Sequence, residues 1–262
     1  MNTIRKYPRT PHLEGSRIQI GDEDLKIVPF SHIQGRECVI EEKMDGANSA
    51  VSIGQNGTLL LQSRGHYLTG GPREKHYDLF KTWANRYAYE LQELLGTRYI
   101  MYGEWMYAKH TVFYTDLPHY FLEFDIFDKE TGKFLGTDKR RSLLHAFPFI
   151  HSVKVLARKT PESIAQLQKL IGKSTFINNH ITVLKETCRT LGLPEETILR
   201  ETDMSDLMEG LYMKVEHDGY VIDRVKLVRS SFLTTVQQSE AHWLNRPIVP
   251  NILAEGVNIF GE

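Results

Sequence analysis

Residues 37–53 read ECVIEEKMDGANSAVSI, and the fold turns on how that run divides. ECVIEEKM and ANSAVSI are short bursts of strand-forming residues, and the DG at 45–46 parts them as a tight turn parts antiparallel strands. TLLLQS follows at 58–63 behind an NG, so the reading here is a three-stranded meander with Lys43 near the end of its first strand. A lysine, a carboxylate and a glycine set so close also pose a chemical question. Lys43 is either a solvated charge or a nucleophile, and K-x-D-G alone does not decide, since average usage produces it in roughly one chain in twenty of this length.

Working outward, the first 36 residues hold three prolines and read as irregular chain with a short strand near 25–30. Tyr77, Phe80, Trp83, Ala84, Tyr87, Leu91, Leu94 and Leu95 recur at spacings of three and four, which predicts one amphipathic helix over 74–95, closed by Gly96. YIMYGEWMY (99–107) and HYFLEFDIFD (119–128) return to strand composition, and DKETGKFLG looks like a polar hairpin turn. From 160 to 207 the pattern is helical. Thr160 and Pro161 suit a cap and first turn, Ile164, Leu167 and Leu170 share a face ending at Gly172, and a second helix is expected over 177–191. GLYMKVEH and YVIDRVKLV form a last hairpin on Asp218 and Gly219.

The chain therefore reads as one α+β domain of mainly antiparallel strands with inserted helices. Residues 1–36 are its lead-in, 37–232 the core with a helical insertion at about 160–207, and 233–262 a short extension. With 41% hydrophobic and 25% charged residues among 262, neither disorder nor a fibrous protein is favoured. No stretch reaches the ~20 apolar residues of a membrane span. The N-terminus lacks the apolar run of a secretory signal, so a cytoplasmic protein with no membrane partner is expected. Cys38 and Cys188 are too few and too far apart for a disulfide framework or a thiolate zinc site. A net charge of −1 gives no global nucleic-acid signal, which leaves local clusters: Lys139, Arg140 and Arg141; Lys154, Arg158 and Lys159; Arg224, Lys226 and Arg229.

What lifts KMDG above chance is the ordered set behind it: YGEW at 102–105, FLEFDIFD at 121–128, EGLYMK at 209–214 and DRVKLVR at 223–229. In this order the stretches resemble the covalent nucleotidyltransferase superfamily of ATP-dependent ligases and RNA capping enzymes, and most closely the T4 RNA ligase 2-like family. The resemblance spans about residues 37–232. It implies the ligase adenylation (ATP-grasp-like) fold, here without the OB-fold domain that DNA ligases and capping enzymes append. It also implies ATP as AMP donor, Mg²⁺ or Mn²⁺ as metal, and RNA 5′-phosphate and 3′-hydroxyl ends as partners, with room for a partner protein that supplies end processing or substrate binding.

Residue by residue, the resemblance makes Lys43 the lysine that carries AMP as a phosphoramidate. It gives Lys214 and Lys226 the contacts to the α-phosphate, Glu104 the ribose hydroxyls, Phe124 the adenine face and Glu209 the metal. Such a lysine starts near pKa ~10.4 and needs neighbouring cations to expose its lone pair. Hard carboxylate ligands suit magnesium. The backbone at Glu41 or Glu42 is placed to read the adenine edge, with Asp45 and Gly46 supporting the nucleophile. KMDGAN carries the asparagine, Asn48, that marks the RNA-ligase branch, and Arg64 in LQSRG matches a basic residue of that branch. The last motif departs from the family's two lysines two apart: either Lys226 is followed by Val228 with Arg229 adjacent, or Arg224 and Lys226 form the pair. Phe121 and Phe127 are read as core, and His12 and His66 as the histidines nearest a substrate role. The alternatives within this chemistry are a DNA-end ligase, a GTP-dependent capping enzyme or an adenylyltransferase with another acceptor. Outside it stands a module that binds nucleotide or RNA ends without catalysis.

Overall fold

Short β-branched and aromatic runs separated by glycine turns build one extended hydrogen-bonded sheet in the computed structural model, which describes residues 4–16, 18, 25–232 and 247–261. The strands are β1 (His12–Leu13), β2 (Ile27–Val28), β3 (Cys38–Lys43), β4 (Ala47–Ile53), β5 (Leu59–Ser63), β6 (Tyr99–Trp105), β7 (Phe121–Asp128), β8 (Lys133–Leu135), β9 (His151–Ser152), β10 (Val155–Lys159), β11 (Gly210–His217) and β12 (Tyr220–Val228). Their main order is β10-β3-β11-β12-β8-β7-β6-β4-β5, and every neighbouring pair along it is antiparallel. The fold is thus mainly antiparallel α+β, as the strand patterns predicted.

The expected meander is corrected by the pairing. β4 and β5 are neighbours, but β3 lies between β10 and β11 at the other end of the order. The three residues Met44, Asp45 and Gly46 therefore carry the chain from one half of the sheet to the other and do not close a hairpin. In the main strand order β8, three residues long, joins the halves, pairing with β12 at Tyr220 and Val221 and with β7 at Phe127 and Asp128. Beyond it β7 and β12 separate, and the cleft described below opens there.

Helices α1 (Asp78–Arg86) and α2 (Ala88–Leu95) cover the β4-β6-β7 half, burying Phe80, Trp83, Leu91 and Leu95 against Val51, Met101, Trp105 and Phe121. Full burial of such side chains is worth roughly 1.5–3 kcal/mol each. The single helix expected over 74–95 is instead a 3-10 turn (Pro72–Tyr77) and two helices broken at Tyr87, whose φ/ψ of −104°/24° lies outside the helical region. Tyr87 stacks on Phe149 at 4.3 Å and 7°, a contact the periodicity could not reveal. Gly96 closes α2 as expected.

On the other half, Leu167 of α4 (Ile164–Leu170) packs with Ile40, Leu211, Met213 and Leu227. Its cap is Ser163, whose Oγ accepts from Gln166 N, in place of Thr160. Helix α5 (His180–Leu191) starts three residues later than predicted, because Asn179 sits in the left-handed region at φ 47°. One helix had no counterpart in the sequence reading, α3 (Thr137–Leu144), read only as a basic cluster; α6 (Glu195–Arg200), which begins just after Pro194, falls within the stretch read as helical without having been given bounds. The last hairpin turns on Asp218 (φ 51°) and Gly219 (φ 76°), the positive-φ pair that a two-residue turn needs. Of the C-terminal extension, 233–246 lies outside the described residues; further on, the Asn251 side chain accepts from Tyr114 N and donates to Met106 O.

Candidate active site

The separation of the sheet halves leaves an open cleft, and Lys43 stands in its wall as the last residue of β3. Antiparallel register sets Gly210 opposite Lys43, which brings the preceding residue, Glu209, to the lysine: Nζ lies 2.6 Å from Glu209 Oε1. From the other half, β4 and β6 place Asn48 opposite Glu104, and both line the cleft. Arg64, just after β5, Lys226 on β12, Phe124 on β7 and the backbones and side chains around Glu41 and Glu42 complete the predicted set in the wall.

The electrostatics follow from burial. Burial alone would pull the Lys43 pKa down, yet the carboxylates of Glu209, Glu104 and Asp45 outweigh it and hold the ammonium charged. Glu104 is pushed up to about 8, first by burial and then by Glu209 and Asp45, against the pull of Lys43. Glu209 is pushed up to about 7 for the same reasons. Three carboxylates crowded round one cation thus form a site with an unmet demand for positive charge. Glu42 is also raised to about 7 by burial, with Ser174 and Lys154 opposing.

Asp45 and Gly46 have local structural duties. The Asp45 carboxylate accepts from Thr111 N (2.7 Å) and Val112 N (2.8 Å), and its own N–H donates to Tyr114 Oη. It ties the end of β3 to the loop after β6. A Cβ on Gly46 would lie 2.7 Å from Met106 Sδ, 2.8 Å from Trp105 O and 2.9 Å from Glu104 Cγ, so only glycine permits this approach of β4 to β6.

Phe124 owes its position to a β-bulge. Tyr102 pairs with Asp125 and Gly103 with Glu123, so the register skips Phe124, and the extra residue turns its half-buried ring toward the cleft. Its carbonyl, removed from the ladder, accepts from Arg140 Nη1 and Lys214 Nζ. Phe121 and Phe127, read as core, are buried.

Lys214 is not brought to the cleft. It is 0% exposed and lies beneath the floor, with Nζ 2.8 Å from Glu41 Oε2 and 3.1 Å from Asp125 Oδ1. Arg140 completes this layer, bonding Glu41 and Glu123 at 2.9 Å each, so one member of an expected basic patch is a core residue. Arg224 and Arg229 are also absent from the cleft wall. Arg224 packs over the Phe134 ring 3.6 Å from Asp125, while Arg229 donates to Met208 O and pairs with Asp203. Of the basic residues in the last motif, the structure turns Lys226 into the cleft. His12 bonds Ser16 and His66 bonds Ser63; neither lines the cleft.

Sequence reasoning missed Tyr7, Pro8, Thr10, Met44, Val153 and Tyr212, all of which line the cleft. Tyr212 lay inside a quoted motif on β11, two residues from Lys214, while Met44 follows the end of β3, where alternation no longer applies. Tyr7, Pro8 and Thr10 belong to irregular chain with no periodic signal.

No group of three or more His, Cys, Asp or Glu side chains capable of holding a metal occurs among the described residues. Magnesium-like ions are commonly held by one or two carboxylates and the substrate's phosphates, and Glu209, buried and raised by the neighbouring Asp45, fits that mode.

Among solved structures, the chain is similar to the RNA ligase of Naegleria gruberi. A mutant solved with ATP and Mn matches at TM-score 0.53 and 17% identity, covering 79% of this chain and 54% of that one. The form with PPi matches at 0.54 and 15%, covering 89% and 58%, and another mutant with AMP and Mn at 0.54 and 15%, covering 90% and 59%. This chain therefore spans little more than half of that ligase, and at such identity the likeness speaks for the fold. No curated protein matches. The RNA ligase family model matches residues 36–228, from two residues before β3 to the last residue of β12. Most of the chain, including the strands that carry Lys43, Glu104, Phe124 and Lys226 and the residue Glu209 before β11, lies in that match, and the chain belongs to the RNA ligase family.

Proposed function

We propose that the protein is an ATP-dependent RNA ligase that takes AMP onto Lys43, passes it to an RNA 5′-phosphate and seals that end to a 3′-hydroxyl, in RNA repair. The observation that carries this reading is the Lys43–Glu209 pair at 2.6 Å in the wall of a cleft that also presents Lys226, Arg64 and the Phe124 ring. Naegleria gruberi RNA ligase, of the same fold, has been solved with ATP and Mn. Among the described residues no helix is long and apolar enough to cross a membrane.

The chemistry follows from the charges. Lys43 rests as an ammonium and must lose one proton before it attacks, and the adjacent Glu209 carboxylate, raised to about 7, is placed to receive it. The neutral nitrogen then forms a bond to the α-phosphorus as the bond from phosphorus to the pyrophosphate oxygen breaks. Pyrophosphate leaves with that electron pair, and the second proton departs from nitrogen. Lys226 and Arg64 supply positive charge for the phosphate oxygens, Glu104 accepts from ribose hydroxyls and Phe124 offers its face to the base. Glu209 would help hold a divalent ion, which would supply charge neutralisation at the leaving group. In the transfer step a 5′-phosphate oxygen bonds to the adenylate phosphorus as the Lys43 N–P bond breaks and the nitrogen takes back a proton. In the sealing step the 3′-hydroxyl gives up its proton as its oxygen bonds to the 5′-phosphorus, and AMP leaves with the electron pair of the broken P–O bond.

The test is intact-mass spectrometry of wild type and Lys43→Ala after incubation with ATP or GTP and Mg²⁺ or Mn²⁺. One AMP on the wild type alone is expected, followed by sealing of nicked RNA. A guanylate adduct formed only with GTP would assign capping chemistry, and ATP binding without any adduct would leave a binding module.

A further inference from the structure

We propose that residues 5–16, a segment preceding the family match, form a wall of the nucleotide site, and that Tyr7 is its positioning residue. The inference rests on the nucleotide reading above and adds a specificity element to it. The family match starts at residue 36, yet Tyr7, Pro8 and Thr10 line the same cleft as Lys43.

The segment bridges the two sheet halves where β8 stops doing so. At one end Arg5 O accepts from Gln62 Nε2 on β5 and Tyr102 Oη on β6. At the other, Pro11 O accepts from Lys226 N, and Ser16 Oγ accepts from Val228 N. His12 of β1 stands in register with Lys226, so the segment acts as an extra edge strand at the residue that β12 turns into the cleft. Two amide groups of β12 are satisfied this way, which fixes where Lys226 begins its reach.

Between these anchors Tyr7 fills the gap. Its hydroxyl donates to Asp125 on β7 and bonds Tyr212 on β11 at 2.8 Å, while Thr10 holds the same Tyr212 hydroxyl at 2.7 Å. The ring meets Phe124 edge-on, with centroids 5.0 Å apart and planes at 80°. An edge-to-face partner fixes the plane of a ring while leaving its other face open. Phe124, the bulged residue, is thus clamped by Arg140 and Lys214 at its carbonyl and by Tyr7 at its ring. The ligand feature read by this wall is the flat base, and the polyphosphate lies toward Lys43 and Lys226.

That division gives a test which general loosening of the fold would not pass. Calorimetric titration with AMP and with inorganic tripolyphosphate is compared for wild type, Tyr7→Phe, Tyr7→Leu and Tyr7→Ala, with melting curves for each. Tyr7→Leu keeps the gap filled and serves where Tyr7→Ala does not fold. Tyr7→Leu and Tyr7→Ala are expected to weaken AMP about five- to tenfold with tripolyphosphate within about twofold of wild type, and Tyr7→Phe to stay within about threefold for both. Unchanged AMP affinity in Tyr7→Leu, or equal losses for the two ligands, overturns the inference and leaves the nucleotide reading intact. A wild type that binds neither ligand overturns the nucleotide reading and this inference with it.

Discussion

Lys214→Met removes a cation that lies beneath the floor of the cleft and meets three oxygens at once, those of Glu41, Asp125 and the Phe124 carbonyl. The layer balances three acids, Glu41, Glu123 and Asp125, against Arg140, Lys214 and Arg224. Methionine fills most of the volume, so the loss is chiefly one uncompensated negative charge out of reach of water. Breaking a buried ion pair from one side costs about 3–5 kcal/mol. At about 2–4 °C per kcal/mol for a chain somewhat shorter than this one, melting should fall by roughly 6–20 °C. Adding Asp125→Asn removes the stranded charge and should return about 2 kcal/mol as a coupling term in a double-mutant cycle. Differential scanning calorimetry measures both. A Lys214→Met protein that melts within about 2 °C of wild type but loses tripolyphosphate affinity would refute this placement and restore the lysine to the phosphate.

Gly46→Ala drives a Cβ into Trp105 O, Met106 Sδ and Glu104 Cγ and should cost about 1–3 kcal/mol by denaturant unfolding, with AMP uptake falling as Glu104 is displaced; wild-type stability and uptake would contradict the close approach. The pH dependence has a defined sign. Glu209 and Glu104 are raised from 4.5 to about 7 and about 8, so the folded protein keeps protons that the unfolded chain releases near 4.5. Their contribution therefore favours folding least above pH 8, and melting of the free protein should fall between pH 5 and 8, with Glu104→Gln flattening the fall. Over the same range, Mg²⁺-dependent AMP uptake should climb as the carboxylates ionise and Lys43 sheds its proton more readily, and a rate that declines from pH 6 to 9 would contradict that assignment.

How much was legible from residue types can be followed at single positions. Lys43, Glu104, Asn48, Arg64, Phe124 and Lys226 all line one cleft and the buried Glu209 meets Lys43 at its edge, because each sits in a strand or beside one whose composition announced it. Lys214 belonged to an equally clear motif, yet alternation along β11 does not say which layer its side chain enters. The bulge at Phe124 was equally silent, since a skipped residue leaves no mark in a run of alternating apolar and acidic side chains. The break at Tyr87 was hidden because stacking on Phe149, 62 positions downstream, decides it.

The sequence by itself determined the main strands, the amphipathic character of 77–95, the turn at Asp218–Gly219 and the family to which the chain belongs, because local backbone preference and the spacing of motifs are written along the chain. Only the tertiary structure decided that β3 and β4 diverge across a cleft, that Lys214 and Arg140 lie beneath its floor while Lys226 enters it, and that Tyr7 walls it. Those facts depend on which distant strands share hydrogen bonds and which charges are removed from water together. Residues hundreds of positions apart settle them, through a balance of pairing and desolvation that no local pattern carries.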